Sequence, residues 1–156
     1  VKACEAAGVG GRVRLAVGGR IDGRHGTPFA VEGVVAGLSD GRYEETGPSH
    51  GGFRFYNDGP SAAIATDDGF TILLTSEAAG SSSLQQFRSL GIEPTRMKVI
   101  VAKGVHSPRP AMEPIAREMI WVATPGVTTA DLATFTYRNR RVPLYPLEGD
   151  ARFAAR

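Results

Sequence analysis

Twenty glycines and ten prolines punctuate the 156 residues, about a fifth of the chain where about 12% is usual. Spacing this close leaves room only for short elements, because each Gly or Pro in an element interior weakens or ends it. Arg12 to Val17 (RVRLAV) alternates charged and apolar residues with the period of two that marks a half-buried strand. Phe29 to Leu38 (FAVEGVVAGL) is a longer, more apolar strand, and Asp40-Gly41 then reads as a tight turn into Arg42 to Thr46. Phe53 to Tyr56, Ser61 to Thr66 and Phe70 to Thr75 continue a meander, with Asp58-Gly59 and Asp67-Asp68-Gly69 at its hairpin turns.

The remainder mixes helix with strand. Val1 to Ala7 reads as the last turns of a helix stopped by Gly8 to Gly11. Leu84 to Leu90 is a short helix, capped by one of Ser81, Ser82 and Ser83 and closed by Gly91. Met97 to Ala102 (MKVIVA) and Met119 to Thr124 (MIWVAT) are apolar on both faces, which predicts buried, central strands. Pro110 to Glu118 is a short helix between them, and Thr128 or Thr129 caps a final turn through Phe135. Val142 to Leu147 is extended, and Glu148 to Arg156 reads as a loose tail. About eight short strands and three or four short helices make a mixed, sheet-dominated α+β domain, expected as a single domain over 1–156.

Composition narrows the function classes. A net charge of +2, with 42% hydrophobic and 22% charged residues, fits neither a chain disordered by charge nor, without an apolar run of about 18 residues, a membrane span. No block of five like charges occurs, and the densest basic stretch is Arg138, Arg140 and Arg141, so nucleic acid and membrane are not expected partners. The single cysteine, Cys4, excludes an internal disulfide framework and a Cys-rich zinc site, and points to the cytoplasm as the compartment. With no initiator Met and a helix already in progress at Val1, a fragment of a longer protein is expected. No secretory leader pattern is present in it.

Few residues carry chemistry. Gly8 to Gly11 follows a helix instead of preceding one, so a helix stop explains it better than a dinucleotide fingerprint does. The loop from Gly18 to Gly26 places Asp22, His25 and two arginines among glycines, a chemistry that serves either a site or a solvated connection. His25, His50 and His106 are the only imidazoles, and no two stand at the spacing of a local zinc set. The most informative segment is Lys103 to Pro110 (KGVHSPRP), which gathers Lys103, His106 and Arg109 directly after an expected strand, where ligand sites in sheet proteins tend to form. Its alternative is a Pro-stiffened connection with surface charges.

The ordered segments carry a resemblance. Gly18-Gly19-Arg20-Ile21-Asp22 with His25-Gly26-Thr27-Pro28, Leu38-Ser39-Asp40-Gly41, Thr46-Gly47-Pro48 and Leu74-Thr75-Ser76 come first. Gly91-Ile92-Glu93-Pro94, Lys103 with Pro114-Ile115-Ala116, and Thr124-Pro125-Gly126 follow. Together they resemble the C-terminal domain of the microcystinase C (MlrC) family of metallopeptidase-like proteins, over nearly the entire chain. The chain departs from the family pattern at Ser107-Pro108-Arg109-Pro110, where members often carry an aromatic-Arg-Ala sequence, and at Ala123, where an acid often precedes Thr-Pro-Gly. With Lys103 and Arg109 kept in register, His106 falls one place early.

The resemblance implies a two-domain, cytoplasmic, zinc-dependent hydrolase of peptide or amide bonds. The zinc ligands then belong to an N-terminal metal-binding domain, the partner of this one, and none to this chain. Lys103, His106 and Arg109 become the cleft-facing catalytic candidates, and Asp22 and His25 the substrate-binding ones. The other open reading is a free-standing, non-catalytic module that binds a small anionic ligand or a partner protein.

Overall fold

A computed structural model describes residues 1–19, 26–104, 106–124 and 131–152. The chain divides into two compact units, 1–120 and 121–156. The first begins with α1 (Lys2–Ala7) and strands β1 (Arg12–Val17), β2 (Phe29–Ser39), β3 (Arg42–Glu44), β4 (Phe55–Asn57), β5 (Ser61–Thr66) and β6 (Thr71–Thr75). It ends with two short helices, α2 (Leu84–Arg88) and α3 (Arg109–Met112). Four strands form one antiparallel sheet in the order β1-β2-β5-β6. The expected meander is interrupted, because β3 and β4 fold out as a separate two-stranded ribbon and β2 pairs directly with β5.

The core lies on one face of the sheet. Val13, Val31, Val35, Ala62 and Ile64 pack there with Cys4, the buried residue of α1, and Leu15, Val17, Leu38, Ile72 and Leu74 surround them. Strand alternation alone would send Leu38 to the face opposite Val35. A β-bulge between Val35 and Gly37 adds one residue to β2 and returns Leu38 to the core face. The β5–β6 hairpin closes as its Asp67-Asp68-Gly69 signal requires: Thr66 N–H donates to Phe70 C=O at 2.8 Å, and Gly69 N–H to Thr66 C=O at 3.1 Å.

Cys4 has no exposed surface, so its thiol meets reagents only when α1 lifts from β1 and β2, against which it packs. Maleimide labelling of the native chain should run at least about a hundredfold slower than in urea. Complete labelling within the dead time of native mixing would contradict that packing.

Among the described residues six strands form instead of about eight. Met97–Ala102 and Met119–Thr124 pair with no strand among the described residues, and Val99, Val101 and Ile120 are 75%, 91% and 78% exposed. An apolar run states a preference for burial, but a strand exists only where a neighbour supplies the hydrogen-bonding edge. The helix expected over Pro110 to Glu118 spans only Arg109–Met112, since Pro114 has no N–H to extend the ladder. In α2, Ser83 is the cap, its Oγ accepting Gln85 N–H at 3.0 Å.

In the second unit, Leu132–Thr134 makes a single 3₁₀ turn capped by Asp131, whose Oδ1 accepts Ala133 N–H at 3.1 Å. The caps expected at Thr128 and Thr129 lie outside the described residues. Glu148, expected in a loose tail, is held by Arg140 at 2.7 Å and accepts Leu144 N–H at 2.7 Å. Among the described residues, no helix is long and apolar enough to cross a membrane.

Candidate functional site

The loop that joins β3 to β4 is built on one buried carboxylate. Glu45 Oε1 accepts Gly47 N–H at 2.8 Å, which folds Thr46-Gly47-Pro48 back on itself, and Glu45 N–H donates to Arg54 C=O at 2.7 Å across the loop. Glu45 Oε2 accepts the Ser83 hydroxyl at 2.5 Å, so the residue that caps α2 also locks that helix onto the loop. Burial pushes the Glu45 carboxyl up, but the hydrogen bonds from Ser83 and from the Gly47, Gln85 and Leu84 N–H groups outweigh it and hold the group below the ordinary glutamate range.

A second buried carboxylate fixes the ribbon from its other end. Asp58 accepts the Tyr43 hydroxyl and the Gln86 amide, each at 2.8 Å. Burial first, and then the Asp58 hydrogen bond, push the Tyr43 phenol far above its ordinary range. The Tyr43 and Tyr56 rings stack at 5.0 Å. Glu45 and Asp58 thus clamp α2 to the β3–β4 ribbon from two sides.

Between Glu45–Ser49 and Gly52–Arg54 the loop encloses an open depression of about 470 Å³. Arg54 at its rim is paired with Glu44 at 2.6 Å. The 3₁₀ turn His50–Gly52 sits within the same loop, and α3 packs against that turn. This contact brings the segment after Met97–Ala102 to the His50–Gly52 turn of the β3–β4 loop, a proximity that no local sequence signal announced.

Lys103 is exposed and makes no hydrogen bond or ion pair among the described residues. The His106 side chain is exposed, and its backbone C=O accepts Arg109 N–H at 3.1 Å. Arg109 opens α3 and lies flat against Glu113, its Nε and Nη2 donating to the two carboxylate oxygens at 2.8 and 3.1 Å. The pair raises the arginine and lowers the glutamate from their ordinary values. Lys103 therefore offers an uncompensated charge, whereas Arg109 does not. Asp22 and His25 lie outside the described residues.

The anchors Glu45, Asp58 and Ser83 were not singled out as site residues by sequence, although Glu45 directly precedes Thr46-Gly47-Pro48. Ser83 is a buried cap whose hydroxyl is already committed to the Glu45 carboxylate. Among the described residues, no group of three His, Cys, Asp or Glu side chains stands close enough to hold a metal ion.

Sheet, ribbon and loop define an α+β domain whose β3–β4 loop carries an open depression. The chain belongs to the MlrC C-terminus family, whose model matches residues 1–139. Comparison with curated proteins yields no match. The Arg140–Glu148 pair lies beyond the matched span.

Proposed function

We propose that this chain is the C-terminal accessory domain of a cytoplasmic, zinc-dependent peptide or amide hydrolase, and that it closes over a cleft shared with an N-terminal metal-binding domain. The observation that carries the reading is Lys103, an exposed ammonium without an ion-pair partner among the described residues, on a segment that leads into α3 and its contact with the His50–Gly52 turn of the β3–β4 loop. The described residues form no zinc set, so in this reading the ligands belong to the N-terminal domain and no step is derived through the ion.

What the chain itself supplies is charge. A lysine held at the cleft wall attracts a peptide carboxylate and stabilises negative charge developing on the scissile carbonyl oxygen, in a site where excluded water makes such contacts stronger. Arg109 can bind a substrate carboxylate only by releasing Glu113, so it contributes less than Lys103. His106, exposed on the same turn, faces the cleft as a substrate contact, and Asp22 and His25 are assigned to substrate binding.

In the two-domain protein, Lys103→Ala should lower kcat/KM by about 10²-fold, the usual loss for one stabilising donor. Folding should stay within about 0.5 kcal/mol, as is usual for an exposed site. Arg109→Ala should have the smaller effect. Unchanged hydrolysis of a short-peptide panel by Lys103→Ala, at unchanged zinc content, would return the segment to a Pro-stiffened connection.

A further inference from the structure

β6 is an edge strand that its own chain leaves open. It pairs only with β5, and the outward row of N–H and C=O groups from Thr71 to Thr75 finds no partner among the described residues. The opposite edge, β1, carries Arg12 and Arg14, the charged side chains that discourage strand addition. β6 (TILLT) carries no charge.

The same unit holds a strand-forming segment without a strand. Met97–Ala102 is apolar apart from the exposed Lys98, Val99 and Val101 are 75% and 91% exposed, and the backbone of 98–103 makes no hydrogen bond among the described residues. Its base is fixed: Met97 N–H donates to Pro94 C=O at 3.0 Å, and the turn that holds Pro94 is braced by the Arg88–Glu93 pair. The segment therefore projects from a rigid start.

The charges around the two elements are complementary. β6 is flanked by Asp68 and Glu77, both exposed, and the segment by Arg96 and Lys103. In an antiparallel alignment that places Thr71 opposite Val101, Leu73 opposite Val99 and Thr75 opposite Met97, Arg96 and Lys103 each fall within one position of an acid, and Lys98 stands opposite Leu74. We infer that Met97–Ala102 of one copy adds as an antiparallel strand to the β6 edge of a second copy, and that the reverse exchange closes a two-fold dimer. Each joint pairs the backbone groups of Val99 and Val101, which stand open in the single chain, and buries their side chains. The Lys103–Asp68 contact lies at the exposed rim, where ion pairs are weak, so it does not hold Lys103 away from a stronger anion.

Sedimentation of the chain up to about 200 µM should show a concentration-dependent dimer. Val99→Pro removes a donor from the segment, and Leu73→Lys charges the edge; each should weaken association at least about tenfold. Mixing the two variants should restore part of the dimer, because one intact segment then meets one intact edge. Val99 lies outside regular structure, so loss of fold does not explain its effect. If Leu73→Lys fails to fold, a Thr71→Cys/Val101→Cys chain should form an intermolecular disulfide under mild oxidation, with Cys4 buried and silent. A wild-type chain that stays monomeric, a dimer indifferent to Val99→Pro, or a double-cysteine chain that fails to cross-link would each overturn the proposal. The Lys103→Ala kinetics above are independent of all three.

Discussion

Gly41→Ala should be the most damaging single-methyl change in the chain, lowering stability by about 3–5 kcal/mol. Gly41 has φ +77°, a conformation that costs an L side chain about 1–2 kcal/mol. A Cβ there would stand 1.9 Å from the Gly59 carbonyl oxygen, and backbone cannot swing aside as a side chain can. Relief would have to break the bond from Asp58 N–H to Gly41 C=O, at 2.9 Å, and with it the setting of the Asp58 carboxylate that holds Tyr43 and Gln86. Overpacking of this kind adds about 1–3 kcal/mol. In a chain of this size the melting temperature should fall by roughly 10 °C or more. Gly69→Ala is the control: its φ is +88° but nothing lies within 4 Å, so it should cost only the conformational part, about 1–2 kcal/mol. Equal losses for the two variants would show that the Gly41–Gly59 approach is not what makes the turn sensitive.

Breaking the Glu45–Ser83 bond should cost nearly as much. Ser83→Ala removes the α2 cap, worth about 1 kcal/mol, and also the hydroxyl donor to a buried carboxylate, worth about 1.5–3 kcal/mol, so about 2–4 kcal/mol is expected. Glu45→Ala leaves the Gly47 N–H and the Ser83 hydroxyl without their acceptor in a buried site and should cost about as much. The double variant should lose less than the sum, since both changes remove one shared contact.

The pH dependence follows from the lowered Glu45 value. The folded carboxyl is depressed, so its contribution is complete above the unfolded value of about 4.3 and disappears as pH falls through the folded value. Urea titrations at falling pH should show the wild type losing stability below about pH 4.3 more steeply than Glu45→Gln, which has no carboxyl to protonate. Glu93, held at about 2 by Arg88 and then by Thr95, adds a second acid-sensitive contact, but an exposed one. Parallel acid profiles for wild type and Glu45→Gln would remove Glu45 from the account of acid sensitivity.

Much of the β-sheet was legible because its signals are local. Alternation in Arg12–Val17 and the turn residues at Asp40-Gly41 and Asp67-Asp68-Gly69 act within a few positions, and β1, β2, β5 and β6 follow them closely. The departure of β3 and β4 into their own ribbon was not legible, since it depends on Asp58 and Glu45 reaching α2 across 28 and 38 residues. In the candidate site, the sequence singled out Lys103 and Arg109 equally. Only the structure separates them, because the Glu113 one helical turn beyond Arg109 neutralises it and no described residue neutralises Lys103.

By itself, then, the sequence determined the family, the α+β class, the β5–β6 hairpin turn and the cap at one of three serines, all properties written in neighbouring residues or in the order of short motifs. Asp58-Gly59, expected as a second hairpin turn, instead joins β4 and β5, which do not pair. Tertiary structure decided which strands pair, and so that Met97–Ala102 and Met119–Thr124 form none despite the most apolar strand patterns in the second half of the chain. It also decided that α3 stands beside the His50–Gly52 turn. The physical reason is the same in each case. Backbone sterics and side-chain period act over a few residues, whereas an edge, a buried carboxylate's donors or a neighbouring loop must be supplied by residues tens of positions away.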